Sequence, residues 1–151
     1  MNNKENLSIE ISRLLEHTAV QAFEMYPVDI IKLFDNVEAN CLKKYTSKEE
    51  ILEIKRRITE WKMKLTADIN SPFELVDDLH KKMLSLGYSS LENECNTEIY
   101  FAQYCIRNKK TDTARTLLIQ LCIKLNDSLA IEELEVYKYF KSISEKMLSQ
   151  T

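Results

Sequence analysis

The sequence predicts an all-α fold: a single helical domain over residues 1–151, built as an irregular bundle or short stack of helical hairpins, with about seven helices. Three observations carry this. The chain has one glycine and two prolines, so turns that need a positive or fixed φ are scarce, which disfavours many-stranded sheets. Helix-start signals recur along it. Apolar residues step at three- and four-residue spacing through most of its length. A chain of 151 residues can bury about 70% of the surface its unfolded form exposes, enough for one core.

The first helix is expected over about 8–26, with Ile11, Leu14, Leu15, Thr18, Ala22 and Met25 on one face. Pro27 ends it, because a proline disfavours helical geometry at the preceding residue while suiting a first helical position itself. The second helix, about 28–44, carries Ile30, Ile31, Phe34, Val37, Cys41 and Leu42. "SKEE" then marks the third: Ser47 caps it and Glu50 closes a capping box, each side chain satisfying an orphan backbone N–H. Ile51, Ile54, Ile58, Trp61 and Leu65 form a stripe only about 80° wide at 100° per residue. A narrow seam of this kind fits shallow-angle packing in a bundle, with Trp61 largely buried.

"NSPFE" repeats the start signal, with Ser71 as cap, Pro72 at the first position and Glu74 closing the box. The fourth helix ends at Leu86 before Gly87, which suits a residue with positive φ. "YSSLENECN" reads as a loop, followed by a fifth helix over about 97–108. "NKKTD" turns the chain, Thr111 or Asp112 caps the sixth helix (to about Leu125), and "NDS" leads to a seventh ending near Leu148.

The sixth helix contains "TARTLLIQLCIKL" (113–125), apolar around most of its circumference. Leu117, Leu118, Leu121 and Leu125 belong to a broad core-facing arc, whereas Ile119 and Ile123 flank the polar strip of Thr113, Thr116, Gln120 and Lys124. The seventh helix is the expected cover for both isoleucines. Residues 101–122 resemble a single tetratricopeptide helix hairpin, through Phe101 and Ala102 on one helix and Ala114 and Leu118 on the next. Cys105 stands where that pattern has an aromatic, and Leu121 where it has a small residue. The resemblance covers about a seventh of the chain and implies a helical-repeat-like, partner-binding architecture.

Charge and motifs narrow the function classes. Charged residues make up 30% of the chain and the net charge is −3, with both signs interspersed and no uncompensated basic stripe of the kind nucleic-acid binders show. Lys48, Lys55 and Lys62 recur every seven residues on the third helix, the one row that would serve such a role. The opening "MNNKENLSIE" lacks the apolar run of a signal peptide, and no stretch approaches the length of a membrane span, so a cytoplasmic protein is expected. The four cysteines, Cys41, Cys95, Cys105 and Cys122, form no CxxC pair and are read as reduced thiols.

Catalytic and metal-binding patterns are missing. His17 shares a face with Glu10, Arg13, Gln21 and Glu24 and reads as solvated. His80 lies in the apolar arc of the fourth helix, where Asp77 one turn earlier would orient its ring as a structural residue. Asp77-x-x-His80 has no second pair with which to build a bundle metal site, and a chain with one glycine offers no phosphate-cradling loop. No cofactor and no metal are expected, and the chain is not expected to be an enzyme.

The aromatics point elsewhere. Neighbouring residues diverge by about 100° on a helix, so Tyr100, Phe101 and Tyr104 cannot all enter one core, nor can Tyr137, Tyr139 and Phe140. Tyrosine is enriched at protein interfaces. Tyr100, Tyr104, Tyr137 and Tyr139, with Glu132 and Glu133, are therefore the candidate partner-binding residues. The expected function is a non-catalytic protein–protein interaction module. An immunity- or antitoxin-type inhibitor of a basic toxin, such as a nuclease, leads. The alternative is a secretion chaperone or helical-repeat-like adaptor, and a nucleic-acid-binding regulator stands third.

Overall fold

The computed structural model describes residues 3–151, which form seven α-helices and, among the described residues, no strand. The helices are α1 (Asn3–Gln21), α2 (Pro27–Lys44), α3 (Lys48–Asp68), α4 (Phe73–Leu86), α5 (Leu91–Arg107), α6 (Thr111–Ile131) and α7 (Glu135–Leu148). No helix is long and apolar enough to cross a membrane. Backbone contacts divide the chain into two compact units, the first ending at Gly87 and the second beginning at Tyr88.

In the first unit α3 is the central element, packing against α1, α2 and α4. One side of it, through Ile54 and Ile58, joins a core cluster with Leu7, Ile11, Leu15, Ile30 and Phe34. Met63, Thr66 and Ala67 are buried as well, so the helix is covered over a far wider arc than a narrow seam. Trp61 is only half-buried at the edge of that cluster. The capping box forms: Ser47 Oγ accepts from Glu50 N–H and Glu50 Oε1 accepts from Ser47 N–H, both at 3.2 Å.

Several boundaries differ from the sequence reading, each for a local reason. α1 starts and stops about five residues early, because the chain leaves the helix through Glu24 at φ 67° before Tyr26 extends ahead of Pro27. Pro72, not Ser71, caps α4: its carbonyl accepts from Leu75 and Val76 N–H at 3.1 and 3.4 Å. Ser71 instead belongs to the end of α3, donating its N–H to the Thr66 carbonyl at 3.0 Å. Gly87 does take positive φ, 76°, and donates to the Met83 carbonyl at 2.9 Å. The Arg56 guanidinium covers the carbonyls there, with Nε 2.9 Å from Gly87 O and Nη2 3.1 Å from Leu86 O.

In the second unit α5, α6 and α7 pack pairwise. α5 begins six residues sooner than the spacing predicts, capped by Ser90, whose Oγ accepts from Asn93 N–H at 3.1 Å. Glu92 and Glu94 in the first turn favour the helix dipole. α6 runs on to Ile131, so "NDS" is helical; the half-buried Ser128 and Leu129 continue the spacing of Leu118, Leu121 and Leu125. Phe101 and Tyr104 stack with ring centroids 6.2 Å apart, both wholly buried.

Candidate functional site: the α6–α7 corner

Four of the six candidate residues fall on one short stretch, the turn from α6 into α7. α6 closes at Ile131 because Glu132 adopts extended geometry, its N–H reaching back to Ser128 O at 2.9 Å. Leu134 then caps α7, its carbonyl accepting from Tyr137 and Lys138 N–H at 3.1 and 3.2 Å. Ile131 is 90% exposed, and Glu132, Glu133 and Glu135 are exposed around it.

The corner's charge is acidic. Lys138 stands 3.4 Å from Glu135 and 3.8 Å from Glu133, exposed pairs of the kind worth at most about 1 kcal/mol. Lys138 meets Glu133 and Glu135, and Glu132 adds a third carboxylate, so negative charge is in surplus over residues 132–138. Beyond it Tyr139 is exposed, its ring tilted against the buried Phe140 at 5.8 Å, while Tyr137 is half-buried. A shallow groove lined by Leu129, Glu133, Lys138, Lys141, Ser142 and Glu145 runs alongside.

The other two candidates lie on α5. Tyr100 is half-buried, and Tyr104 is wholly buried in its stack with Phe101, so Tyr104 presents no surface to a partner. Sequence reasoning missed Ile131, the most exposed large apolar side chain of the corner. Its signal was an isoleucine ending the apolar run "LAI" directly before the acidic run "EELE".

The expected cover for Ile119 and Ile123 does not form. α7 buries Phe140, Ser144 and Met147, while α6 turns Ala114, Leu118, Leu121 and Leu125 inward and leaves Leu117 half-buried. Both isoleucines stay exposed, Ile123 by 56%.

The two histidines differ in burial. His17 is exposed and bonded to Gln21 at 3.1 Å. His80 is buried on α4 with Val76 and Met83, while the ion pair of Asp77 goes to Lys81 at 3.0 Å. The lysine row on α3 does not form an open face: Lys48 is exposed, Lys55 is half-buried, and Lys62 is buried and paired with Asp35. Burial pushes the Cys41 and Cys122 thiols up, and the Cys95 thiol up to about 12. Thiols raised in this way are poor nucleophiles at neutral pH. Among the described residues no group of three or more His, Cys, Asp or Glu is placed to hold a metal ion.

A polar cluster in the first unit involves Glu10, Lys44 and Tyr45. Lys44 Nζ lies 2.8 Å from Glu10 Oε2, and the Tyr45 hydroxyl donates to the same oxygen. Lys44 first, then Tyr45, holds the Glu10 carboxyl below the usual carboxylate range. Compared with protein-family profiles, curated proteins and solved structures, the chain shows no match.

Proposed function

We propose that this protein is a non-catalytic protein-binding module, an immunity- or antitoxin-type inhibitor that covers a basic surface of a toxin. One observation carries the reading: at the α6–α7 corner a nearly fully exposed isoleucine, Ile131, sits among Glu132, Glu133 and Glu135, with Tyr139 further along α7. An exposed apolar side chain and an exposed aromatic supply contact area, and the surplus of carboxylates over the single Lys138 ammonium steers a cationic partner and sets its register. A secretion chaperone or adaptor would use the same corner, so the identity of the partner separates the readings.

The test is affinity capture from native lysate at moderate salt, followed by the same capture with Ile131→Ser and with Glu132→Gln/Glu133→Gln/Glu135→Gln. A basic partner that is lost from both variants and released by added salt supports the inhibitor reading. A partner of acidic or neutral charge, retained by the glutamine variant, overturns it.

A further inference from the structure

We propose that the α1–α2 corner of the first unit is a second docking surface, built for a basic amphipathic helix of a partner protein. Within the stretch "VQAFEMYPV" (20–28), Val20, Phe23, Tyr26 and Val28 are each more than half exposed, Phe23 by 78% and Tyr26 by 77%. The backbone explains the arrangement. Phe23 N–H still bonds to Val20 O at 3.3 Å and Met25 N–H to Ala22 O at 3.1 Å, which keeps the turn compact after α1 ends. Ala22 and Met25 take the inward positions, and the larger side chains between them are left outside.

Single exposed apolar residues are ordinary on a protein surface, whereas four on one tight turn form a patch of the kind that marks an interaction site. The charges around it choose the partner. Among the described residues Glu16, Glu24 and Asp29 are exposed and make no ion pair, and these three carboxylates outnumber the nearest cations along the chain, Arg13 one turn before Glu16 and Lys32 one turn after Asp29. An apolar patch with an acidic rim complements a helix that carries an apolar stripe between rows of lysine or arginine. A second copy of the same corner would bring carboxylates against carboxylates, and an anionic membrane surface would repel them.

This surface involves none of the residues of the α6–α7 corner, and the peptide is titrated into the Ile131→Ser protein as well, so that binding at that acidic corner is told apart from binding here. The probe is a synthetic amphipathic Leu/Lys peptide, about five helical turns long, set against a Leu/Glu peptide with the same apolar stripe. Binding is followed by fluorescence anisotropy at low and physiological salt. The Leu/Lys peptide should bind, and salt should weaken it. Phe23→Ser/Tyr26→Ser should weaken binding about tenfold or more with the melting temperature unchanged. Glu16→Gln/Glu24→Gln/Asp29→Asn should weaken it and flatten the salt dependence, while Ile131→Ser leaves it intact. No binding of the Leu/Lys peptide, equal binding of both peptides, or loss on Ile131→Ser rather than on Phe23→Ser/Tyr26→Ser would each overturn the proposal. A dimer in sedimentation velocity that Phe23→Ser/Tyr26→Ser dissociates would give the patch to a second copy, and would overturn it too.

Discussion

α3 and α6 are both 21 residues long, and each packs against the other helices of its own unit, yet the more polar of the two is the more deeply covered. α3 buries Thr59, Lys62 and Thr66 along with Ile54, Ile58, Met63 and Ala67. α6 buries only Ala114, Leu118, Leu121 and Leu125 and leaves Ile119 and Ile123 in water. The difference lies in the neighbours: α1, α2 and α4 surround α3, whereas α6 has α5 and α7. Burial follows the number of helices that close on a face, and residue type then adapts. On α3 the adaptation is visible, with Thr66 Oγ1 donating to the Lys62 carbonyl at 2.7 Å and Lys62 meeting Asp35.

The largest effects should come from the two helix centres. Ile58→Ala and Leu121→Ala each remove a buried branched side chain and should cost about 2–5 kcal/mol in urea unfolding. A small effect at Ile58 beside a large one at Leu121 would break the comparison, since α3 would then not be the better covered helix.

Asp35→Ala sharpens it at the polar level. Lys62 is left buried without its carboxylate, and the loss should be about 1–3 kcal/mol, moderated because Asp35 itself is largely exposed. Adding Lys62→Met should recover much of it, as removal of both charges leaves nothing unpaired. A double variant no more stable than Asp35→Ala would mean that the ammonium was never short of solvent.

Gly87→Ala should also cost about 1–3 kcal/mol, because its φ of 76° with ψ of 167° suits glycine almost alone. The added methyl would meet Arg56 Nη2 at 3.4 Å, an ordinary contact, so strain and not collision sets the loss. On the exposed flank of α6 the expected change is far smaller. Ile123→Glu should shift stability by no more than about 0.5 kcal/mol, and severe unfolding would mean that something covers that face.

The smallest effect is in pH. Glu10 titrates below its ordinary value in the folded protein, so its contribution is complete above the unfolded carboxylate pKa and fades as pH falls through the lowered one. Glu10→Gln should therefore flatten the acid limb of a stability–pH curve by lowering the neutral region slightly, and leave the most acidic region, where Glu10 is protonated anyway, unchanged. An unchanged acid limb would remove Glu10 from the stabilising set.

Much of the fold was legible because helix chemistry is local. The Ser47–Glu50 box and Gly87 act on their own backbone and fall where the sequence puts them, and Pro27 opens α2, although α1 ends at Gln21 and not at the proline. The start of α5 was missed because Ser90 is followed at the third position by Asn93 instead of a glutamate or glutamine. Ser71 looked like a cap, but the end of α3 claimed its backbone. What a side chain faces depends on tertiary neighbours, and periodicity carries little of that. Lys62 read as solvent-facing because a charge on a helix flank usually is; Asp35, from another helix, reverses it. The candidate surface was half legible for the same reason. Glu132, Glu133 and Tyr139 announce themselves by type, whereas the burial of Tyr104 and the exposure of Ile123 are decided by which faces the neighbouring helices cover.

The pattern of helix neighbours also sets how quickly each unit can assemble. The principal packed pairs are consecutive helices, with α1·α3 and α5·α7 the pairs that skip one. Contacts this local in sequence require only short loops to close, and helical domains of that kind fold in about microseconds to milliseconds. Synthesis proceeds at roughly 5–20 residues per second, far slower than that. On the ribosome, then, α1 waits for no helix beyond α3, and its buried Leu7, Ile11 and Leu15 are exposed to the cell for about as long as α2 and α3 take to emerge.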